Sequence, residues 1–353
     1  MTTSTKTAPE PTRAQLEAES ERLFAKGLGD LGYADAELER CARLTWKINR
    51  LKEAQSAVIP AHVYQRAEII HGVADFIGDS YKLSKLCAGT KAKKIVFCGV
   101  RFMAETAKIL NPEKEVLLPA LEAGCSLSES ITAADVRALK EKHPGAPVVT
   151  YINTSADVKA ESDVIVTSAN APQILKKLYA KHAKIIFLPD ALMGGNLAKA
   201  LGKKLGSELV TWRGKCIVHE NFDAPSVELY RKMYPGVKIL AHSECSPGLV
   251  SVVDFIGGTG DMMKYVESTK ARSYMLVTEC GLGDLARSSY PDKVFVPMCL
   301  LCPYMKATGL PEVLRVLEKP SPAHRIDIPK DVMARARRPI ERMFELAEDK
   351  SKT

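Results

Sequence analysis

No apolar run in this sequence is long enough to cross a membrane. The longest charge-free apolar stretches, such as Val294 to Met305, fall well short of the ~20 residues that a spanning helix needs. The opening MTTSTKTAPEPTRAQ lacks the apolar segment of a secretory signal, so the expected location is cytoplasmic. Dense clusters of Lys and Arg are missing too. The 50 basic and 42 acidic residues leave a net charge of +8, with no block that argues for nucleic acid. A mildly basic surface favours acidic small molecules instead. The nine cysteines are an odd number in a chain without a signal, which argues for thiols or metal ligands over a disulfide framework. Disorder and fibrous folds are excluded by 46% hydrophobic and 26% charged residues. A length of 353 residues is enough for two or three globular units.

Residues 1–12 read as a polar, disordered tail. Across 13–56, apolar residues at helical spacing (Leu16, Leu23, Leu28, Leu31, then Leu38, Cys41, Leu44, Ile48 and Leu51) form an N-terminal helical extension. Asp331 to Glu348 reads as an Arg-rich amphipathic helix in which Pro339 marks a kink or restart. Between these, short β-rich runs alternate with helical segments, the pattern of βαβ units around parallel sheets.

Four kinds of strand and turn each occur three times, in the same order. The first ends in a polar residue: His62, Asn153 and His242, spaced 91 and 89 apart. The second is an Asp, an apolar run and a small turn residue: Asp75 to Ser80, Asp163 to Ser168, and Asp254 to Thr259. The third carries Cys98, Pro189 and Glu279, and the fourth closes on Cys125, Cys216 and Cys302. The chain is therefore expected to be α/β, with three homologous αβα units on parallel sheets around a pseudo-threefold axis. The first unit is assigned to 57–125 and completed by the C-terminal helix at 330–348. The second covers 126–216 and the third 217–302, with 303–353 as a return segment. Parallel sheets place functional residues beyond the carboxyl ends of their strands, so the landmarks are expected to converge on one cavity.

Three equivalent thiols favour ligation, although a single Cys of this kind is more often a buried hydrophobe-like residue. Cys125, Cys216 and Cys302 could hold zinc or an iron–sulfur cluster. A cubane held at three points keeps one iron open as a Lewis acid and ranks above zinc. Cys299 and Cys302 form a CxxC, which alone suggests a redox dithiol. Cys302 lies 86 residues after Cys216 and Cys299 lies 83 after it, so Cys302 fits the period of about 90 better. The other cysteines are structural by default, with Cys98, Cys245 and Cys280 near the cavity. Ser80, Ser168 and Thr259 are placed to bind phosphate or carboxylate at helix starts, the plainer alternative being N-caps. His62, Tyr64, Tyr151, Asn153, His219, His242 and Glu244 supply polar and proton-transfer groups, with His219 three residues beyond Cys216.

The ordered set HVYQ, VADFIGDS, GVRFMAETAKIL, AGCS, YINTSADVKAESDV, TSANA, PDALMGGNLA, GKCIVHENF, AHSEC, TGDM, VTECG, CPYMK and RRPIERM resembles the quinolinate synthase family over about His62 to Met343. The resemblance implies one [4Fe–4S] cluster per chain on Cys125, Cys216 and Cys302. The implied reaction condenses iminoaspartate with dihydroxyacetone phosphate to quinolinate, phosphate and two waters, with iminoaspartate supplied by an L-aspartate-oxidising enzyme. On this reading Glu244 is the principal acid/base, and His242 and Tyr64 move protons. Tyr151 and Asn153 orient carboxylates, and His62 and His219 hold polar groups beside the cluster. Ser80, Ser168 and Thr259 anchor phosphate and carboxylates. The chain departs from the family pattern at Ala67, where Pro is usual, and at Gly258-Thr259, where Ser-Thr is usual; a backbone N–H is expected to serve at Gly258. The rival readings are another [4Fe–4S] hydro-lyase acting on a hydroxy acid, an iron–sulfur redox sensor and a metal-free phosphate-ligand binder.

Overall fold

A computed structural model gives the fold of residues 7–348. The chain packs as two compact units, one running to Ala123 and resuming over Glu279–Asp327, the other spanning Gly124–Thr278 and the segment from Ile328. The architecture is α/β with several parallel sheets, consistent with αβα layering, as expected. No helix among the described residues is long and apolar enough to cross a membrane.

Within the second unit, four strands lie in the order Val164–Val166, Val148–Tyr151, Ile185–Leu188, Leu209–Thr211. In chain order this is second, first, third, fourth. The VIV, VVTY and IIFL segments are wholly buried, as strands covered on both faces should be. The third copy repeats the order with Phe255–Gly257, Lys238–His242 and Ser273–Val277. In the first copy the leading strand is split into Ala57–Val58 and Pro60–His62, because Pro60 has no N–H to give. Chain direction reverses its lateral progress at each first strand, so the carboxyl end of that strand is the switch point where such sheets bind ligands.

The recurring Asp has a structural task. Asp75 accepts from the Ile59 N–H at 2.8 Å, Asp163 from Val148 at 2.7 Å and Asp254 from Ile239 at 2.9 Å. In return, the backbone N–H of each Asp donates to the carbonyl of that same residue. Two bonds thus lock the start of the second strand to the first in every copy.

That lock corrects the sequence register. His62 pairs with Gly78, Tyr151 with Val166 and His242 with Gly257, each two residues before Ser80, Ser168 and Thr259. The counterpart of His62 and His242 is therefore Tyr151, not Asn153, and the intervals become 89 and 91. Asn153 is the counterpart of Tyr64 and Glu244. The third landmark shifts as well: Asp190 and Glu279 both cap the following helix, and Val100 takes that place in the first copy.

The helix Lys330–Ala347 runs through Pro339 without a break. It packs on Ala156–Ala160, Ala171–Tyr179 and Val164–Val166, so it completes the second copy and not the first. Its amphipathic stripe (Val332, Ala336, Ile340, Met343) needed an apolar sheet flank, and the sequence alone offered three similar ones. At the other end, residues 1–6 of the expected tail lie outside the described residues. Residues 7–12 are laid against the Asp35–Ala54 helix, where Glu10 pairs with Lys47 and Arg43. The Arg13–Leu23 and Asp35–Ala54 helices share one core with the first copy and with Leu310–Glu318, through Leu16, Leu23, Leu38, Ile48, Ile69, Val313 and Leu317.

Two outcomes test the Asp lock. Asp163→Ala should lower the unfolding free energy by about 1–3 kcal/mol in a urea titration, because a buried strand N–H loses its acceptor. For Asp254, burial raises the carboxyl, but the Ile239 N–H, Arg231 and Lys238 outweigh it and hold it below its ordinary 3.8. The stability gap between the protein and its Asp254→Asn variant should therefore be full above pH ~4 and shrink as pH falls through that lowered value.

Candidate active site

In the second unit, the ends of two first strands deliver the chemistry. Tyr151 closes its strand and His242 closes the other, with Glu244 on the turn beyond. The Glu244 carboxylate is almost wholly buried and is met from two sides. Tyr151 donates its hydroxyl to Oε1 at 2.5 Å, and His219 Nδ1 lies 2.9 Å from Oε2. His219 Nε2 lies 2.9 Å from the Thr278 hydroxyl, and its ring stacks on that of His242 with centroids 4.5 Å apart. Burial alone would raise the Glu244 carboxyl. The charges of His219 and His242, with hydrogen bonds from His219 and Tyr151, overcome that and hold it below the usual carboxylate range. Burial lowers His242 to about 4, although Glu244 opposes the shift. The Glu244 backbone N–H donates to His242 Nδ1 at 3.4 Å, so the neutral ring carries its proton on Nε2. His62 is held the same way by the Tyr64 N–H, at 3.2 Å.

Cys216 joins this cluster. Its Sγ is 3.2 Å from His219 Nδ1, and ligand atoms of Cys216, His219 and Glu244 all fall within 4.8 Å of one another. Burial and the Glu244 charge push the Cys216 thiol well above its ordinary value. A dry thiol of this kind is a poor nucleophile, and a metal that replaces its proton overcomes the same penalty. Cys125 stands on a neighbouring loop of the same unit. The Ser126 hydroxyl donates to Lys215 O and accepts from the Ile217 N–H, both at 3.2 Å, fastening the two cysteine turns together.

All three expected ligands share one local form. The carbonyls of Cys125, Cys216 and Cys302 each accept from the residue four later (Glu129, Glu220 and Lys306), each at 3.0 Å. That common turn sets Cys302 apart from Cys299. Among the described residues, Cys299 is bonded to Cys280 in a disulfide, contrary to the expectation that these cysteines are thiols and to a Cys299–Cys302 dithiol. The Cys280 N–H donates to Leu300 O, so the loop before Cys302 runs beside the first turn of the Cys280–Ser289 helix. Cys280 is expected near the cavity, but no periodicity pairs it with Cys299.

The anion-binding positions divide. Ser80 and Thr259 are the first residues of their helices, and the caps are Asp79 and Gly258. N-capping therefore does not explain these hydroxyls. Ser168 sits in a turn, three residues before the Ala171–Tyr179 helix, and it is close enough to Gly258 that a Cβ there would lie 2.6 Å from its Oγ. Glycine thus gives Ser168 its room. The Gly258 N–H donates to Asp261 at 3.2 Å, so it is not the spare donor expected there. In the first unit His62 and Tyr64 stand edge to face, with centroids 4.7 Å apart, beyond the Pro60–His62 strand. Asn153 lies partly exposed, two residues past Tyr151.

Two residues escaped the sequence reading. Thr278 fixes the far nitrogen of His219, and only its place before a cap residue in VTECG could have hinted at it. Asp190 is wholly buried at the cap of Ala191–Ala200, with Oδ1 accepting from Leu192 and Met193 and Oδ2 without a hydrogen-bond partner among the described residues. Burial and the Glu244 charge raise its carboxyl well above the ordinary range. Its signal was the Pro-Asp that ends a buried apolar strand.

The family described as Quinolinate synthetase A protein matches residues 46–345. Quinolinate synthase of Aquifex aeolicus (strain VF5) is 46% identical over 316 residues, covering 88% of this chain and 96% of the relative. That of Sinorhizobium fredii is 45% identical over 299 residues, covering 85% and 81%. That of Xylella fastidiosa (strain 9a5c) is 44% identical over 297 residues, covering 84% and 85%. With its match running through every strand end described above, the chain belongs to the quinolinate synthase family of enzymes.

Proposed function

We propose that this enzyme condenses iminoaspartate with dihydroxyacetone phosphate to give quinolinate, phosphate and two waters, using a [4Fe–4S] cluster on Cys125, Cys216 and Cys302. The observation that carries the reading is the buried Tyr151–Glu244–His219–Cys216 chain, which sets a proton-transfer group beside a thiol that has metal-ligand neighbours. When bound, the cluster supplies a Lewis acid at its open iron, suited to drawing a hydroxyl away as water.

The chain's own residues do the rest. Glu244, kept ionised by His219 and Tyr151, accepts a proton from carbon or nitrogen during isomerisation and ring closure. His242 presents Nε2–H as a donor, and Tyr64 with His62 is the matching pair in the first copy. Tyr151 and Asn153 orient the carboxylates. Ser80, Ser168 and Thr259 hold phosphate and carboxylate oxygens, with the starts of the Ser80–Gly89 and Thr259–Ser268 helices behind two of them. An aspartate-oxidising enzyme would furnish iminoaspartate, and the reaction belongs in the cytoplasm.

Anaerobically prepared protein should contain about four irons with matching sulfide per chain and convert the two substrates to quinolinate, as read by mass spectrometry. Cys216→Ala should lose both iron and product. Glu244→Gln should keep the iron while kcat falls on the order of 10²–10⁴-fold. Full activity in that variant would remove Glu244 from catalysis, and an iron-free active protein would remove the cluster.

A further inference from the structure

The third copy reverses a charge that the other two share. At the fourth residue after the ligand cysteine stand Glu129, Glu220 and then Lys306. Glu129 Oε1 accepts from the Cys125 N–H at 3.2 Å. A lysine has no acceptor to offer Cys302, and the Cys302 N–H bonds instead to Glu279 Oε1 at 3.3 Å, a carboxylate brought from another strand end.

Glu279 is almost wholly buried, and Lys306 meets it there, with Nζ 3.1 Å from Oε1. The other carboxylate oxygen accepts from the Gly281 N–H at 2.7 Å. Lys306 Nζ also donates to the Tyr64 carbonyl at 2.5 Å. The backbone of this turn is gripped as well. Arg66 donates to Lys306 O at 2.8 and 3.2 Å, and Gln65 Nε2 donates to Met305 O at 2.8 Å. Gly281 lies so close to Tyr64 that a Cβ would stand 2.7 Å from the Tyr64 Cα. Three chain segments, 64–66, 279–281 and 302–306, thus meet on one buried ion pair. Residues 296–299, before Cys302, have neither helix nor strand to hold them.

We propose that Glu279 is a positioning residue whose side-chain acceptor, its buried charge balanced by Lys306, fixes the Cys302 turn beside the chain at Tyr64, so that one group sets both a cluster ligand and a proton-transfer side chain. The proposal rests on the reading above that Cys302 binds the cluster. Removing one member of a buried pair strands the other charge, whereas a neutral hydrogen-bonding substitute does not. Glu279→Leu removes the acceptor of the Cys302 N–H, and Glu279→Gln combined with Lys306→Met keeps an acceptor without either charge.

The test compares these two variants with the unaltered protein. In the cluster-free protein, hydrogen exchange in the 300–306 peptide should quicken at least tenfold in Glu279→Leu, with exchange in the Val148–Tyr151 strand unchanged. It should return to within about threefold in the Glu279→Gln/Lys306→Met protein. After anaerobic reconstitution, iron loss to an external chelator should follow the same ranking, with kcat lowered more than KM is raised. Equal exchange and iron loss in all three proteins would overturn the proposal. So would an equal deficit in both variants accompanied by faster exchange throughout the chain, the mark of a merely structural pair. If Glu279→Leu does not fold, an unprotected 300–306 peptide in the double variant overturns the proposal and a protected one supports it. A protein that takes up no cluster defeats the reading of Cys302 instead, while exchange still tests the ion pair.

Discussion

The pairing of the first strand with the second, in each copy, is the constraint on which the site depends. A side chain beyond a strand end is aimed by the register of that strand, and in strands of three to five residues few ladder bonds exist to define it. The carboxylates of Asp75, Asp163 and Asp254 supply the missing definition by holding the N–H of Ile59, Val148 and Ile239. A slip of one residue would turn the Tyr151 and His242 side chains to opposite faces of their sheets. Precision at the carboxyl end of the strand is therefore set at its other end.

Glu244 shows how a buried charge is tolerated. A carboxylate out of water is costly unless each oxygen is satisfied, and here Tyr151 takes one oxygen and His219 the other. The same two partners that make the burial possible also keep the carboxylate ionised. Asp190, one strand end away in the repeat pattern, has one satisfied oxygen and one unsatisfied, and is driven towards its neutral form. Both carboxyl groups are buried, but the charges of His219 and His242 with two hydrogen bonds hold Glu244 down, whereas burial and the Glu244 charge push Asp190 up.

Much of this was legible in the sequence. A period of about 90 residues announced three copies, and the polar residues at strand ends named the Glu244 cluster before any geometry was known. What failed was local. A polar residue after a β-rich run points to Asn153 as the first landmark, whereas hydrogen-bond register selects Tyr151, an aromatic residue that reads equally well as core. The Cys280–Cys299 bond joins residues 19 apart through a loop that no periodicity describes. The C-terminal helix carried a clear apolar stripe but no mark of which sheet it would cover. Patterns repeated in sequence reveal equivalence, while partners chosen across the fold leave no local trace.

The helices ahead of the family match carry a different lesson. The family match begins at residue 46, partway along the Asp35–Ala54 helix, whose earlier turns bury Leu38, Cys41 and Ala42 in the same core as Ile69 and Leu317. Arg22 and Asn49 both donate to the Gly72 carbonyl, one from outside the matched region and one from inside it. The start of the family match thus falls inside one helix and one shared core. A chain cut where the match begins would lose Leu16, Leu23 and Leu38 from that interior and open Ile69 and Leu317 to water.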